Sequence, residues 1–304
     1  MAAEGSRTAV VAALTGNGLI AVAKFAAAGL TGSAAMLSEA WHSVADTGNQ
    51  ALLLRGMSQS KRPADAEHPF GRGQETYFWS FMVAVMLFVG GAVLSIQHGI
   101  EALRHPHELE EIVVNVIVLG IAMVIEGAVF FYAYREFRRV RGTRSNWRTF
   151  RGTKDTAILV VLLEDSAALA GLVVAMTGMI LASATGDPVW DAVASLLIGA
   201  LLAAVAILLA IETKALLIGE AASRSDRAGV MAAVLGLRQV SGVGRLLTMH
   251  MGADQILVNI DVDFVDGLDD ESVEAAIDDV ETAIRSTLPH AGNIFVELET
   301  SSRG

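Results

Sequence analysis

Hydrophobic residues in the first two thirds of the chain form six long runs, which are separated by short polar connections. The runs lie near residues 8–30, 34–56, 77–100, 112–134, 156–182 and 188–213. A helix needs about 20 mostly apolar residues to cross the hydrocarbon core of a bilayer, and each run is long enough. The pattern therefore predicts a bundle of six transmembrane helices, and a composition that is 53% hydrophobic favours a membrane protein over a soluble one.

The pattern changes near residue 215, where the apolar runs become shorter and acidic residues more frequent. The predicted elements are a helix at 225–237, strands at 245–251 and 255–264, an amphipathic helix at 270–287 and a strand at 293–299. This αββαβ order suits helices packed on one face of a small sheet. We therefore expect two domains, a transmembrane domain at 1–215 and a small α/β domain at 216–304.

Loop charge predicts how the chain is oriented in the membrane. Basic residues concentrate in two connections, at Arg55, Lys61, Arg62 and Arg72, and at Arg135, Arg138, Arg139, Arg141, Arg144, Arg148, Arg151 and Lys154. The connection at 98–111 is acidic instead. Because cytoplasmic loops are enriched in Lys and Arg, both basic connections, both termini and the tail domain should be cytoplasmic, in an inner or plasma membrane. Beside a membrane span, basic residues indicate contact with anionic lipid rather than with nucleic acid.

Two further features of the sequence limit the possible chemistry. The N-terminus has no basic segment before its first apolar run, and that run is too long for a signal-peptide core, so no cleavable signal is expected. Cysteine is absent, which excludes thiolate ligands from any metal site. A metal ion would have to bind His nitrogen and carboxylate or carbonyl oxygen. No bound cofactor is expected.

Ionisable residues interrupt two of the apolar runs. His42 and Asp46 are four residues apart, so they share one face of the second helix, and Asn49 and Gln50 continue that face. The fifth run contains the acidic pair 164–165. Charged groups inside a membrane are costly and normally mark an ion path.

The predicted depth of these residues in the membrane would allow their side chains to lie close together. Asp46 lies about twelve residues into its run and Asp165 about ten, which places both near the middle of the membrane. Two neighbouring helices could then bring one imidazole and several carboxylates together as a tetrahedral Zn²⁺ site. The alternative is a His–Asp ion pair that only locks the bundle. Lys24, toward the outer end of the first run, is expected to extend its ammonium to the interface, and Glu126 to hydrogen-bond between helices.

Several segments, in order along the chain, resemble the cation diffusion facilitator family of zinc and manganese transporters. These are residues 32–46 (GSAAMLSEAWHSVAD), 68–75 (HPFGRGQE) and 187–199 (DPVWDAVASLLIG). The pieces at 45–50 (ADTGNQ) and 162–168 (LLEDSAA) are most similar to the branch that contains the mitochondrial zinc exporters and bacterial relatives.

The resemblance implies a homodimeric antiporter that exports a divalent cation, most readily Zn²⁺, in exchange for protons by alternating access. It also implies a ferredoxin-like cytoplasmic tail. The family's central metal site maps onto His42 and Asp46 in the second span and onto Asp165 in the fifth. The remaining fifth-span position is Val161, which cannot bind metal. Glu164 is therefore the candidate fourth ligand, with Asn49 or Gln50 as alternatives.

Two peripheral metal sites of the family look degraded in this chain. In the loop after the second span, Asp65 and His68 match the family and could bind metal, yet the usual second histidine is Arg72. In the tail, the family's histidines are replaced at Gly244, Asp261 and Glu297. Dimerisation of the tail should therefore not depend on zinc, and His250 is interpreted as a strand residue.

The sequence leaves three functional classes open. A Zn²⁺/proton antiporter is preferred, and the same donors would tolerate Mn²⁺, Fe²⁺ or Co²⁺. An intramembrane metalloenzyme would need a separate general base, and the sequence contains no HExxH helix. A non-transporting partner subunit is the third alternative, since Val161 and the lost peripheral ligands weaken the family pattern.

Overall fold

A computed structural model describes residues 2–31, 34–105, 112–141 and 154–298, with side chains omitted at 2–5, 27–31, 34–42, 112, 114–115 and 139–141. The chain forms two compact units. The first contains Met1–Gln59 and Glu75–Lys214, and the second contains Ser60–Gln74 and Ala215–Gly304. The loop Ser60–Gln74 thus belongs to the same unit as the tail, which the hydrophobic pattern did not indicate.

The first unit is helical, with a long helix at the position of each predicted run. The helices are α1 (Ala2–Thr31), α2 (Ala34–Gln59), α3 (Glu75–Arg104), α4 (Ile112–Arg141), α5 (Thr156–Thr185) and α6 (Val189–Leu217). The helix α4 extends into the basic connection as far as Arg141, because Arg is a good helix former. The rest of that connection, at 142–153, lies outside the described residues.

Five of the helices in the described part of the chain are long and apolar enough to cross a membrane, namely α1, α3, α4, α5 and α6. The helix α2 is not among them, and only its residues 43–59 are described with their side chains. Its sequence carries His42, Asp46, Asn49 and Gln50 together with several serines, and these residues lower its hydropathy. The finding supports a helical membrane domain but leaves the predicted count of six spans unconfirmed.

The helix α5 is central to the first unit. Its residues from Thr156 to Leu162 are buried on every side, as expected of a helix surrounded by other helices. Asp155 caps its N-terminus by accepting a hydrogen bond from the Ile158 amide, and Gly186 ends it at a φ of 70°. At the N-terminus of α5, the hydroxyl group of Thr156 lies 2.8 Å from the hydroxyl group of Ser80 in α3.

The second unit contains a three-stranded sheet with two helices. Its elements are α7 (Arg224–Leu235), β1 (Val240–Gly252), β2 (Gln255–Phe264), α8 (Asp270–Thr287) and β3 (Ala291–Leu298). Strand β2 lies between the other two, antiparallel to β1 and parallel to β3. The predicted αββαβ order is confirmed. Strand β1 begins five residues earlier than predicted, and the pairing of its first half with β2 is irregular.

The loop Ser60–Gln74 packs on this sheet. The Phe70 ring meets Phe295 of β3 edge to face, with ring centroids 6.2 Å apart, and the Phe70 carbonyl accepts a hydrogen bond from the Gln255 side chain at 3.2 Å. Gly73 lies so close to the Met251 carbonyl that a Cβ atom at this position would clash with it. A residue larger than glycine at 73 would therefore push the loop away from the sheet.

Candidate metal site

The helix α2 presents a polar surface to the interior of the first unit. Asn49 is 4% exposed and Gln50 is completely buried, so both carboxamides lie inside the bundle. Asp46, one turn earlier, is half-buried. His42 lies in the same helix, but its side chain lies outside the described residues. Burying a carboxamide without a hydrogen-bond partner costs free energy, so these side chains need polar partners from neighbouring helices.

Glu164 of α5 supplies partners to both carboxamides. One of its carboxylate oxygens accepts a hydrogen bond from Asn49 Nδ2 at 3.0 Å, and the other accepts one from Gln50 Nε2 at 2.8 Å. All three side chains are at least 95% buried. The two helices that carry the predicted ligands are thus joined by two buried hydrogen bonds.

Three buried oxygen atoms around this junction have no hydrogen-bond partner among the described residues. They are Oδ1 of Asn49, Oε1 of Gln50 and Oδ2 of Asp165, whose side chain is 1% exposed. Buried polar atoms in proteins are nearly always satisfied, so a buried oxygen without a partner suits a cation or a hydrogen-bond donor. Carboxylate and amide oxygens are hard donors that divalent metals accept.

Several carboxylates influence one another at this junction. Asp46 and Glu126 are close enough for their charges to act on both Glu164 and Asp165. Glu126 lies on the buried face of α4 and is 9% exposed. Four acids in a low-dielectric interior repel one another unless positive charge or protons balance them. The arrangement therefore favours binding of a cation.

The described side chains do not yet form a complete coordination sphere. Among them, no three His, Cys, Asp or Glu groups stand close enough together to hold one metal ion. Both oxygens of Glu164 are already bonded to amides. Val161, one turn before Asp165, is completely buried in the hydrophobic core and takes no part in the polar junction.

The loop residues Asp65 and His68 come together, but so does Arg72. The Arg72 guanidinium donates to one Asp65 oxygen at 2.8 Å, and the other oxygen accepts the backbone N–H groups of Glu67 and His68 at 3.0 and 2.7 Å. The hydrogen bond from Arg72 holds the pKa of Asp65 at about 2, below its ordinary value of 3.8. The cationic guanidinium occupies the position where a metal ligand would be needed.

The tail positions that replace the family's histidines form their own polar contacts. Asp261 binds the Arg245 guanidinium at 2.8 Å, and this hydrogen bond lowers the pKa of its carboxyl group. On the neighbouring strand, Glu297 accepts a hydrogen bond from Asn259 at 3.1 Å. His250 is buried within β1, in register with Ile256, as expected of a strand residue.

Lys24 differs from the expectation for its position. Its side chain is only 7% exposed, and its Nζ donates to the buried Ser43 hydroxyl at 2.9 Å. Its ammonium is therefore directed into the bundle. No spacing rule could have identified this contact, because it depends on how α1 and α2 are rotated against each other.

Comparison with known proteins adds an independent line of support. Residues 10–218 match the family described as the cation efflux transmembrane domain. The chain is 37% identical over 264 residues to the proton-coupled zinc antiporter SLC30A9, mitochondrial, of Xenopus laevis, which covers 86% of this chain and 47% of that protein.

Two other relatives have the same relationship. The human proton-coupled zinc antiporter SLC30A9, mitochondrial, is 40% identical over 217 residues, which is 70% of this chain and 38% of that protein. Metal tolerance protein C4 of Arabidopsis thaliana is 34% identical over 231 residues, with 75% of this chain and 50% of that protein covered. The chain spans about half, or less, of the length of these relatives.

Proposed function

Because the chain belongs to the cation efflux family, we propose that it is a divalent cation/proton antiporter that exports Zn²⁺ from the cytoplasm. The family assignment from sequence motifs is confirmed, including the similarity to mitochondrial zinc antiporters. The observation that carries the proposal is the buried junction of Glu164 with Asn49 and Gln50, beside the unpaired oxygen of Asp165. It brings the polar faces of α2 and α5 together inside an apolar bundle.

We assign His42, Asp46 and Asp165 as ligands of the transported ion. Glu164 would complete the site if one of its oxygens released its amide donor when the ion arrives. The alternative is that Glu164 keeps both amides and the carbonyl oxygen of Asn49 or Gln50 becomes the fourth ligand. Both versions give one nitrogen and several oxygens, a donor set that suits Zn²⁺ and also tolerates Mn²⁺, Fe²⁺ or Co²⁺.

Proton exchange follows from the chemistry of these ligands. Imidazole and carboxylate bind metal only in their deprotonated forms, so metal binding and protonation exclude each other. When the site opens to the cytoplasm it would take up the ion and lose protons. When it opens to the other side, protonation of the same groups would release the ion. Such alternating access couples export to the inward movement of protons.

The proposed topology has six spans, with both termini and both basic connections in the cytoplasm. The helix α2 would cross with the others because its buried carboxamides face the bundle and not lipid. We place the domain boundary near residue 215 and assign the tail at 216–304 as a ferredoxin-like dimerisation domain. The transporter would then be a homodimer in an inner or plasma membrane.

Asp65 and His68 remain the other candidate metal ligands. Their contacts favour a structural role for them, because Arg72 already neutralises Asp65. The match to a cation efflux domain supports transport over the metalloenzyme alternative. Only a measurement of metal flux distinguishes a transporter from a non-transporting partner subunit.

Zinc flux into proteoliposomes tests the proposal. We expect Asp46→Asn and Asp165→Asn each to abolish flux while leaving a folded protein, because each removes a carboxylate charge with little change in volume. Asp187→Asn is the matched control, since Asp187 caps the exposed start of α6 and Asn caps equally well. Flux near the parent level in either site variant would contradict the assignment.

A further inference from the structure

Asn17 of α1 is a buried polar residue that the proposed transport reaction does not use. Its side chain is only 4% exposed, and its Oδ1 atom has no hydrogen-bond partner among the described residues. Its neighbours on the buried face of α1, Ala13 and Ile20, are apolar. Burying a carboxamide oxygen without a partner costs free energy, so this oxygen suits a cation or a hydrogen-bond donor.

The packing of α1 against α2 indicates the depth of Asn17 in the bundle. These helices are separated by only two residues and run back along each other, and the contact between Lys24 and Ser43 marks one common level. Asn17 is seven residues before Lys24, and Gln50 is seven residues after Ser43. Seven residues are about two helical turns, or about 10 Å, and return to nearly the same face. Asn17 and Gln50 therefore lie at a similar depth, on the facing sides of α1 and α2.

The contact between α1 and α4 gives the same depth. Gly16 packs directly on the side chain of Val129 in α4. Glu126 is three residues before Val129, is 9% exposed, and its charge acts on Asp165. Asn17 thus lies at the level of the acidic junction, on a helix that supplies none of the assigned ligands.

We propose that Oδ1 of Asn17 and Oε1 of Gln50 form a second subsite for the transported divalent cation, beside the carboxylate site. The Gln50 oxygen is also buried without a partner in the described part of the chain, while its Nε2 group stays bonded to Glu164. Carboxamide oxygens are hard, neutral donors, so this pair would hold weakly an ion that keeps several of its water molecules. The inference rests on the proposed function, since it assumes that Asp46 and Asp165 bind the ion.

The depth of the subsite indicates when the ion would occupy it. In the proposed topology α2 runs toward the cytoplasm, and Gln50 is one turn beyond Asp46 in that direction. An ion that enters from the cytoplasm would therefore meet the two carboxamide oxygens before the carboxylates. It would then exchange water for carboxylate oxygen, and Glu164 or Asn49 would complete the carboxylate site. This predicts that Asn17 controls how fast the ion loads and not how tightly it is finally held.

The experiment combines zinc flux in proteoliposomes with the dissociation constant for Zn²⁺, measured by calorimetry on the purified full chain. Asn17→Leu keeps the branched shape of the side chain and removes its oxygen. We expect it to lower kcat/KM for flux about tenfold or more, with the dissociation constant at the parent value. Asn17→Asp keeps an oxygen at the same place and should recover the flux. Thr15→Val is the matched control, because Thr15 is exposed and its hydroxyl donates to Val11 of its own helix.

A purely structural role for Asn17 makes a different prediction. If the side chain only packs α1 against its neighbours, a carboxylate at 17 would disturb the packing more than a leucine and would not recover the flux. Thermal unfolding of each variant identifies any that fail to fold, and Asn17→Ala then replaces Asn17→Leu.

Three results would overturn the inference. The first is a parent-like kcat/KM in a folded variant that lacks the oxygen at 17, and the second is no recovery in Asn17→Asp. The third is a dissociation constant that rises in proportion to the loss of flux, which would make Asn17 a ligand of the carboxylate site itself. If Asp165→Asn transports Zn²⁺ like the parent, the proposed function itself fails, so the two failures are distinguishable.

Discussion

Glu164 and Asp165 are consecutive residues with different surroundings. Both oxygens of Glu164 accept hydrogen bonds from carboxamides of α2, whereas Oδ2 of Asp165 has no hydrogen-bond partner in the described part of the chain. Consecutive side chains on a helix point about 100° apart, so the two carboxylates face different neighbouring residues. We therefore expect Asp165 to bind the ion directly and Glu164 to orient the groups around it.

Replacing Glu164 by Gln tests this division of roles. The glutamine oxygen can still accept one hydrogen bond from Asn49 or Gln50. The glutamine NH₂ group would face the other carboxamide NH₂ group, and two donors cannot form a hydrogen bond with each other. We expect the dissociation constant for Zn²⁺ to rise by about 10–100-fold if Glu164 supports the ligands, and by more if it coordinates the ion. Glu101→Gln, at an exposed position on α3, should leave binding unchanged. Parent-like binding in Glu164→Gln would leave Asn49 or Gln50 as the fourth ligand.

Residue identities could be predicted from the sequence, but their partners could not. The spacing of His42 and Asp46 and the acidic pair on the fifth run identified the polar faces, because charged residues in apolar runs are conspicuous. The bonding of both Glu164 oxygens and the inward direction of Lys24 depend on helix rotation, which a single sequence does not encode visibly. Val161 cannot be a ligand because its side chain has no donor atom, and the structure buries it in the hydrophobic core.

The loop Ser60–Gln74 behaves as an element of the tail unit because two kinds of contact fix it. Asp65 closes the loop through Arg72 and two backbone N–H groups, and Phe70 packs on β3. The sequence pointed to Asp65, His68 and Arg72 through a family metal motif. It could not reveal that the Arg72 guanidinium and two backbone N–H groups would all donate hydrogen bonds to Asp65.

The ion pair predicts a pH dependence for the loop. The folded pKa of Asp65 is about 2 against an ordinary value of 3.8, so its stabilising effect is complete above about pH 4 and is lost as the pH falls toward 2. Hydrogen exchange, corrected for intrinsic rates, should show that the amides of Glu67 and His68 lose protection in that range. In Arg72→Ala, protection should already be reduced at neutral pH. Unchanged protection at neutral pH in that variant would show that Arg72 does not hold the loop.

For the whole molecule, the order of helices and strands could be predicted from the sequence. The division of the chain into two units could be predicted only in part. Six long helices and an αββαβ tail follow from hydrophobic periodicity and from the turn at 252–254. The assignment of the loop Ser60–Gln74 to the tail unit follows from an edge-to-face aromatic contact and from glycine at 73, which periodicity does not reveal.

The tail's polar contacts lead to a prediction about assembly. Arg245 already neutralises Asp261, and Asn259 donates a hydrogen bond to Glu297, so both acids have partners within the tail. We expect a dimer of the full chain to persist in a strong chelator, as measured by size-exclusion chromatography with light scattering. Dissociation to monomers on chelation, reversed by Zn²⁺, would mean that metal holds the subunits together after all.

The exchange of Zn²⁺ for protons is the central claim, and it is tested most directly by recording both ions in the same proteoliposomes. With an imposed pH gradient, the parent protein should move Zn²⁺ with a simultaneous counterflow of protons, and reversing the gradient should reverse the zinc flux. Asp165→Asn should show neither movement. Zinc flux in the parent protein that does not depend on the pH gradient would contradict the account. So would coupled movement of Zn²⁺ and protons in Asp165→Asn.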